Sequence, residues 1–333
     1  KSRERALARA LSSAAREAGA DVTIGIRHLE EVDVFWPHAG AHMRGLEARE
    51  AARQRVEPAV GEGEAPSEEE IEASGRHALF QDLERQLCEG GGARRIVCVS
   101  ELVRDELAEL YPACAPRLAV VPNGIDLEHF SLTRRAERRA RLRTELGVAA
   151  DAPLVAFLAH DAELKGLPTL LDALASLARP DVHLLLGGPR PLARWKRRAE
   201  RVLGPERVHA FDALDAAHAL SAADVLAHPT WRDTSGLVLL EAQAVGTPVV
   251  TTRRAGDAGV VREGVSGTVL AEAGDALTLA AALKHWLERA RNAKVDHAAV
   301  RAAVESRDLA SWLAAMEAIV LQAAEESIAA RGR

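Results

Sequence analysis

Aromatic residues are scarce in this 333-residue sequence, at 3%, and its three cysteines, Cys88, Cys98 and Cys114, are widely spaced. That cysteine usage favours neither a disulfide framework nor a thiolate zinc site. So few aromatics argue against a stacking platform for single-stranded nucleic acid. No apolar run reaches the length of about 18 residues that a membrane-spanning helix needs, and residues 1–5 lack the apolar core of a signal peptide. We therefore expect a cytoplasmic protein.

An excess of positive charge is also missing. The sequence has 43 lysines and arginines against 49 aspartates and glutamates, and its net charge is −6. Binding of nucleic acid through bulk charge needs a basic surface, so we expect no nucleic-acid partner.

The composition that remains, 48% hydrophobic and 28% charged, is typical of a globular protein, and the length suggests two domains. Short apolar or β-branched runs alternate with helical patterns, which predicts an α/β fold with parallel sheets covered by helices. Strands are predicted at 21–26, 96–99, 118–121, 154–158, 182–186, 208–211, 224–227, 248–251 and 268–270.

Three further stretches bear on domain organisation. Residues 62–74 are acidic and lack apolar periodicity, which predicts a surface segment without regular structure. Turn residues at 122–126 precede the arginine-rich stretch 134–143, so we place a domain boundary near Asp126. A final helix over 308–330 carries an apolar side that needs a surface to cover.

Two predicted strands end in loops suited to a ligand. Gly187 and Gly188 follow strand 182–186 at a carboxyl end, where open α/β sheets bind ligands, although an ordinary turn explains two glycines equally well. Lys165 follows strand 154–158 and is one of only five lysines. It is either a point charge for a phosphate or a solvated surface residue.

The stretch 233–242 precedes and enters an apolar helix. Asp233 suits an N-cap, while Ser235 and Gly236 would offer free N–H groups to a phosphate at the helix N-terminus; both interpretations can hold together. Glu241 has apolar neighbours on this helix, and a buried carboxylate needs a hydrogen-bond partner. The paired hydroxyls of a ribose would supply one.

Two histidines, His38 and His42, lie in a loop that contains Pro37 and Gly40. Either could exchange a proton or bind a substrate hydroxyl, although a packing or surface role is the alternative for each. Zinc binding would need a helix across them, against which the proline and glycine argue. Basic clusters at 134–143 and 194–201 suit either a solvated face or contact with anionic lipid.

Five stretches, taken in their order along the chain, resemble family 4 of the retaining glycosyltransferases, which have the GT-B fold. They are VSELV at 99–103, VPNGID at 121–126, KG at 165–166, DTSGLVLLE at 233–241 and GTPVV at 246–250. Within that family, PHAGAH at 37–42 and HPTWRD at 228–233 are most similar to relatives of the lipopolysaccharide core glucosyltransferase I.

The resemblance implies two Rossmann-like domains with a cleft between them. Residues 1–125 would form the acceptor domain, residues 126–306 the nucleotide-sugar-binding domain, and residues 307–333 a helix that crosses back to the first. Family members begin with a strand and a glycine-rich loop, whereas this sequence opens in what resembles a later helix. We therefore expect the first domain to be incomplete on its N-terminal side.

The resemblance also implies roles for individual residues. The catalytic candidates are His42, His38, Asp233 and Lys165, and Asp233 stands where the family usually has a glutamate. His160 stands where an arginine commonly accompanies the lysine. The residues implied in donor binding are Lys165, His160, Gly187, Gly188, His209, Phe211, Ser235, Gly236, Leu237 and Glu241.

The resulting expectation is a retaining transferase that moves a hexose, with glucose favoured, from a nucleoside-diphosphate sugar to a saccharide or lipid-linked acceptor. UDP-glucose is the favoured donor, and neither a cofactor nor a metal is expected. Peripheral association with anionic lipid at the inner face of the membrane is included in this hypothesis. Two alternatives remain open: a nucleotide-sugar-binding protein without turnover, and a sugar-nucleotide epimerase of the same fold.

Overall fold

The chain divides into two compact units in the computed structural model, which describes residues 2–26, 29–56, 68–177, 179–188 and 190–331. The first unit comprises Lys1–Glu47, Ala59–Asn123 and Ala310–Arg333, and the second comprises Ala48–Pro58 and Gly124–Leu309. Among the described residues, no helix combines the length and the apolar content that a bilayer crossing requires.

Helices and strands alternate through both units. The helices are α1 (Ser2–Glu17), α2 (His42–Val56), α3 (Glu68–Cys88), α4 (Glu101–Leu110), α5 (Arg135–Leu146), α6 (Leu167–Ser176), α7 (Leu192–Leu203), α8 (Ala216–Ala222), α9 (Leu237–Ala244), α10 (Ala276–Arg291), α11 (His297–Arg301) and α12 (Leu309–Arg331). The strands are β1 (Ile24–Gly25), β2 (Val32–Phe35), β3 (Ala93–Cys98), β4 (Leu118–Val120), β5 (Leu154–Leu158), β6 (His183–Gly187), β7 (Val208–Phe211), β8 (Val225–His228), β9 (Val249–Thr252) and β10 (Gly267–Leu270).

The first unit contains a parallel sheet with the strand order β1-β2-β3-β4. Successive side chains of a strand point to opposite faces of a sheet, so each strand supplies two cores. Ile96 packs with residues of α3 and α4, whereas Val34 and Val97 pack with Met316 and Ala323 of α12. The last helix of the chain therefore completes the core of the first unit.

The second unit contains a parallel sheet with the strand order β10-β9-β8-β5-β6-β7. Numbered from β5, this is the 3-2-1-4-5-6 order of a Rossmann-like fold. Phe157 of β5 packs on one face with Trp195 and Trp286, and its neighbour Ala156 packs on the other with Leu240. The predicted α/β class with parallel sheets is confirmed, and β5 is buried on both faces as parallel strands usually are.

The first unit differs from the sequence predictions in two places. Strand β2 was not predicted, because Asp33 interrupts its apolar run; the structure buries this carboxylate, which accepts from Thr23 Oγ1 at 2.8 Å and Arg94 Nε at 3.0 Å. The acidic stretch 62–74 was expected to lack structure. Residues 62–67 lie outside the described residues, and from Glu68 onward the chain forms α3.

Three of the six arginines in the stretch 134–143 do not lie on a solvated face. Arg135, Arg138 and Arg143 are buried. Arg135 donates to the main-chain oxygen of Ala223 at 3.1 Å, and Arg143 donates to the carboxylate of Asp224 at 3.0 Å. Arg135 and Arg143 thus fasten α5 to the loop that precedes β8, and none of the three buried arginines is available to a lipid surface.

Candidate functional site

The strand order of the second sheet reverses between β5 and β8, and ligands of such sheets bind at the carboxyl ends of the strands at this point. The loops after β5 and β8 are fastened together there. The main-chain oxygen of Leu164 accepts from Trp231 N at 2.9 Å and from Thr230 Oγ1 at 3.1 Å. The contact brings Lys165, in one loop, beside Asp233, in the other.

Gly166 permits this close approach. Its φ of +82° lies in the left-handed region, and a Cβ atom there would lie 2.0 Å from the main-chain oxygen of Pro229. Only glycine satisfies both conditions. In the Lys-Gly pair, the glycine is therefore required by the backbone geometry, and the lysine supplies the charge.

Lys165 and Asp233 form an ion pair at the centre of the site. The Nζ of Lys165 lies 2.8 Å from Oδ2 of Asp233 and donates to the main-chain oxygen of Arg232 at 3.1 Å. The Lys165 side chain is only 19% exposed, which contradicts the alternative of a solvated surface lysine. His228, at the end of β8, places its Nε2 3.0 Å from the same Oδ2.

These neighbours keep Asp233 ionised. Burial opposes ionisation, but the hydrogen bond from His228 and the charge of Lys165 outweigh it and hold the pKa of Asp233 well below its usual range. Burial lowers the pKa of His228, so its imidazole is neutral at neutral pH. The site therefore holds one fixed cation and one fixed anion.

The N-terminus of α9 lies next along the chain. Its N-cap is Gly236, with a φ of +96° and no side-chain cap, so the proposed N-cap role of Asp233 is wrong. The first N–H groups of a helix have no partner within the helix and carry the positive end of its dipole. Leu237, in the first turn, is 41% exposed. Main-chain donors are thus available beside the Lys165–Asp233 pair.

Main-chain and side-chain hydrogen bonds join the segment 233–235 to the segment 254–257. Asp233 N donates to Arg254 O at 2.9 Å, and Asp257 N donates to Ser235 O at 2.6 Å. The Asp257 carboxylate also accepts from Ser235 Oγ at 2.5 Å and from Arg307 Nη2 at 2.8 Å. The Ser235 hydroxyl proton is therefore committed to Asp257, which leaves the main chain of Ser235 as its only part that could donate to a ligand.

Asp257 was not identified from the sequence. Burial raises its pKa to about 6, although the bonds from Ser235 and Arg307 oppose that rise. Asp257 is a single acidic residue in the stretch GDAG at 256–259, and this local sequence does not indicate that its carboxylate binds Ser235. Only the fold brings it beneath Ser235.

Glu241 lies on α9, and its carboxylate receives no hydrogen bond from the part of the chain that the structure describes. Burial raises its pKa to about 7. The partner that the sequence led us to expect is therefore not another side chain in this part of the chain. A hydroxyl-bearing ligand would satisfy the carboxylate.

Four of the residues implied in donor binding, His160, Gly187, Gly188 and Phe211, lie together at the carboxyl ends of β5, β6 and β7. His160 Nδ1 lies 3.1 Å from Gly188 O, Gly188 N donates to Phe211 O at 2.9 Å, and Ala159 N donates to Gly187 O at 2.9 Å. Gly188 has a φ of +79°. The chain thus forms a glycine-lined edge at the end of the sheet.

His209 has a different environment. It lies at the second position of β7, where its Nε2 is 3.1 Å from Nδ1 of His183 and the two rings stack at 15°. Burial lowers the pKa of both imidazoles. The ring of His209 is thus engaged by another side chain within the sheet.

The two candidate histidines of the first unit differ from each other. His38 is exposed in a turn, with its ring centroid 4.2 Å from that of Trp36, and His42 is the first residue of α2. They do not share a helix. Among the described residues, no group of three or more His, Cys, Asp or Glu side chains could hold a metal ion.

Two neighbours of His42 were missed from the sequence. His77 of α3 places its Nδ1 3.2 Å from Nε2 of His42. The buried Glu84 accepts from the main-chain N of His42 at 3.0 Å and from the hydroxyl of Tyr111 at 3.0 Å. Glu84 therefore fixes the start of α2, and no spacing in the sequence indicates this.

Two family models match the chain in succession. The model described as Glycosyltransferase Family 4 matches residues 66–129, and the model described as Glycosyl transferases group 1 matches residues 152–289. The chain belongs to glycosyltransferase family 4. Both matched ranges contain stretches on which the resemblance was based, and the second contains Lys165, Asp233 and Glu241.

Curated relatives of this family 4 chain include D-inositol 3-phosphate glycosyltransferases. The protein of that name from Saccharomonospora viridis is 37% identical over 195 residues, which is 54% of this chain and 44% of that protein. A Mycobacterium protein of the same name is 33% identical over 258 residues, or 72% of this chain and 54% of that protein. The chain thus spans about half the length of these relatives.

Solved structures show that the family 4 chain has the GT-B fold. WaaG, a glycosyltransferase involved in lipopolysaccharide biosynthesis, superimposes with a TM-score of 0.74 at 24% identity, over 93% of this chain and 80% of WaaG. HepE from Anabaena, in complex with UDP-glucose, superimposes with a TM-score of 0.62 at 21% identity, over 89% of this chain and 79% of HepE.

Proposed function

We propose that this protein is a retaining glycosyltransferase that moves a hexose, with glucose favoured, from a nucleoside-diphosphate sugar to a saccharide or lipid-linked acceptor. The proposal rests on one observation above all. A largely buried ammonium group, Lys165, pairs with Asp233 in the loop that leads into the N-terminus of α9, which has no side-chain cap, at the switch point of a Rossmann-like sheet. Family membership gives this arrangement its chemical context.

The arrangement suits a diphosphate. Lys165 supplies a full positive charge, and the main-chain N–H groups at Gly236 and Leu237 supply donors and the positive end of a dipole. As the bond between the anomeric carbon and the diphosphate oxygen breaks, negative charge grows on the leaving group, and fixed positive groups stabilise it. These groups would act without a metal or a further cofactor.

The remaining contacts follow from the same placement. The carboxylate of Glu241 would accept from the ribose hydroxyls, and the glycine-lined edge at Gly187 and Gly188 would take the base. A diphosphate oxygen would receive the proton of the acceptor hydroxyl as that hydroxyl attacks from the same face. The parts proposed for His38 and His42 in transfer stay predictions, as does association with anionic lipid.

Donor binding and turnover test this function. Calorimetry with UDP, GDP, ADP and their glucose derivatives should show binding of at least one donor, with UDP-glucose favoured. A ligand at 100 times its dissociation constant should stabilise the protein by about 2.7 kcal/mol. The Lys165→Ala variant should lose most of this affinity, whereas Lys284→Ala, which removes an exposed lysine of α10, should bind as the parent does.

Product analysis separates the alternatives. A transferase should hydrolyse or transfer the sugar slowly with retained anomeric configuration. Binding that depends on Lys165 without any turnover would favour a non-catalytic nucleotide-sugar-binding protein, and a new sugar nucleotide formed without acceptor would favour an epimerase.

A further inference from the structure

His228 is the last residue of β8 and is 1% exposed. Its Nε2 lies 3.0 Å from Oδ2 of Asp233, the oxygen that also lies 2.8 Å from Nζ of Lys165. A single carboxylate oxygen therefore receives two donors, one neutral and one charged. Family resemblance assigns no role to this histidine.

The hydrogen bond fixes where the imidazole carries its proton. An ionised carboxylate only accepts, so the neutral ring of His228 must donate through Nε2. Its Nδ1 is buried and has no hydrogen-bond partner within the described part of the chain. The charged groups that act on this imidazole are Asp233 and Lys165. His228 is thus committed to Asp233.

The hydrogen bonds that Asp233 accepts from Lys165 and His228 should respond differently when a nucleotide sugar binds. A diphosphate competes with the carboxylate for the ammonium of Lys165, so that bond weakens as the proposed donor site fills. The His228 bond lies in the buried interior and has no competitor there. After donor binding, His228 is the partner that keeps the Asp233 carboxylate in place.

We propose that His228 is a positioning residue, which holds Asp233 oriented and ionised while the donor diphosphate occupies Lys165. The inference rests on the proposed function.

Nuclear magnetic resonance of the full chain tests the contact without any turnover. In ¹⁵N spectra of the histidine side chains, with His228 assigned by its loss in His228→Gln, the ring should carry its proton on Nε2 from pH 6 to 8. Addition of UDP should leave this tautomer unchanged. A proton on Nδ1, a charged ring at pH 7, or a change of tautomer with UDP would overturn the proposal.

Kinetics test the consequence. His228→Leu keeps the side-chain volume but removes the donor, and its kcat should fall about 10- to 100-fold because the carboxylate is misplaced. Its affinity for UDP should stay within about threefold of the parent. His228→Gln, whose amide can donate, should recover most of the loss, and the exposed control His285→Leu should match the parent.

The comparison of kcat with UDP affinity separates positioning from a general loss of structure. A positioning role predicts that His228→Leu lowers kcat and leaves UDP affinity nearly unchanged. An unchanged kcat, or a fall in kcat and UDP affinity together, would overturn the proposal. Absence of turnover in the parent would instead contradict the proposed function, and the spectroscopic result would still decide the role of His228.

Discussion

At the scale of single residues, the carboxylate of Glu241 is a group whose ionisation the second unit does not compensate. Burial raises its pKa from 4.5 to about 7, so the folded protein binds this proton more tightly than the unfolded chain does. The contribution to stability is present below pH 4.5 and is lost as the pH rises through 7. A ligand that donates hydrogen bonds to the carboxylate would reverse this penalty.

We expect Glu241→Gln to stabilise the ligand-free protein. The gain in the free energy of unfolding should reach up to about 3 kcal/mol at pH 8 and be much smaller at pH 5. Urea unfolding at the two pH values measures it. The same variant should bind UDP more weakly, since a neutral amide is a poorer acceptor for ribose hydroxyls.

The matched control is Glu272→Gln, which neutralises an exposed glutamate of the same unit. It should change stability by less than about 0.5 kcal/mol at either pH. If the two variants changed the free energy of unfolding equally, or if Glu241→Gln gained as much at pH 5 as at pH 8, ionisation of Glu241 would not destabilise the folded protein.

The residue types at the site could be read from the sequence, but their partners could not. Lysine after one predicted strand and the free N–H groups expected at Ser235 and Gly236 indicated a phosphate site. That Lys165 pairs with Asp233 depends on two loops meeting through Leu164, and no local spacing encodes this contact. The same holds for Asp257 beneath Ser235 and for His77 beside His42.

At the scale of elements, Gly166 decides how closely the loop after β5 approaches the loop after β8. We expect Gly166→Ala to cost about 3 kcal/mol or more, because the substitution adds left-handed backbone strain to the clash with the Pro229 oxygen. Donor affinity should fall with it, since Lys165 is displaced. Thermal unfolding and calorimetry with UDP measure the two effects.

Gly147 provides the comparison. It caps α5 with a φ of +67°, and a Cβ atom there would meet nothing within 4 Å. Gly147→Ala should therefore show the backbone strain alone, about 1 kcal/mol, with unchanged affinity for UDP. If both variants lost the same stability and kept the same affinity, the close approach at Pro229 would not matter for the site.

Strands could be predicted from the sequence where nearly all of their side chains are apolar and buried. The strands of the second sheet are apolar runs with turn residues at their ends, since helices cover both faces. Strand β2 was missed because Asp33 breaks its pattern and is satisfied by Thr23 and Arg94 from elsewhere in the chain. The burial of Arg135 and Arg143 could not be predicted for a related reason, because their acceptors, Ala223 and Asp224, lie in the distant loop before β8.

At the scale of the whole molecule, the C-terminal helix contributes to the core of the first unit but not to the proposed diphosphate site of the second. Helix α12 packs through Met316 and Ala323 on Val34 and Val97 of the first sheet. Lys165, Asp233 and Glu241 all lie within Gly124–Leu309 of the second unit. Damage to α12 should therefore affect the folding of the first unit and leave the proposed diphosphate site assembled.

Ala323→Asp tests this separation, because it places a carboxylate at a position that is fully buried against the first sheet. A buried charge without a partner should cost more than about 3 kcal/mol. We expect denaturant unfolding to split into two transitions, the first at lower denaturant and insensitive to UDP, the second raised by UDP as in the parent. Ala318→Asp, at an exposed position of the same helix, should unfold as the parent does. A single transition that loses its response to UDP would mean that the proposed diphosphate site needs the first unit to form, since the burial of Ala323 touches no residue of that site.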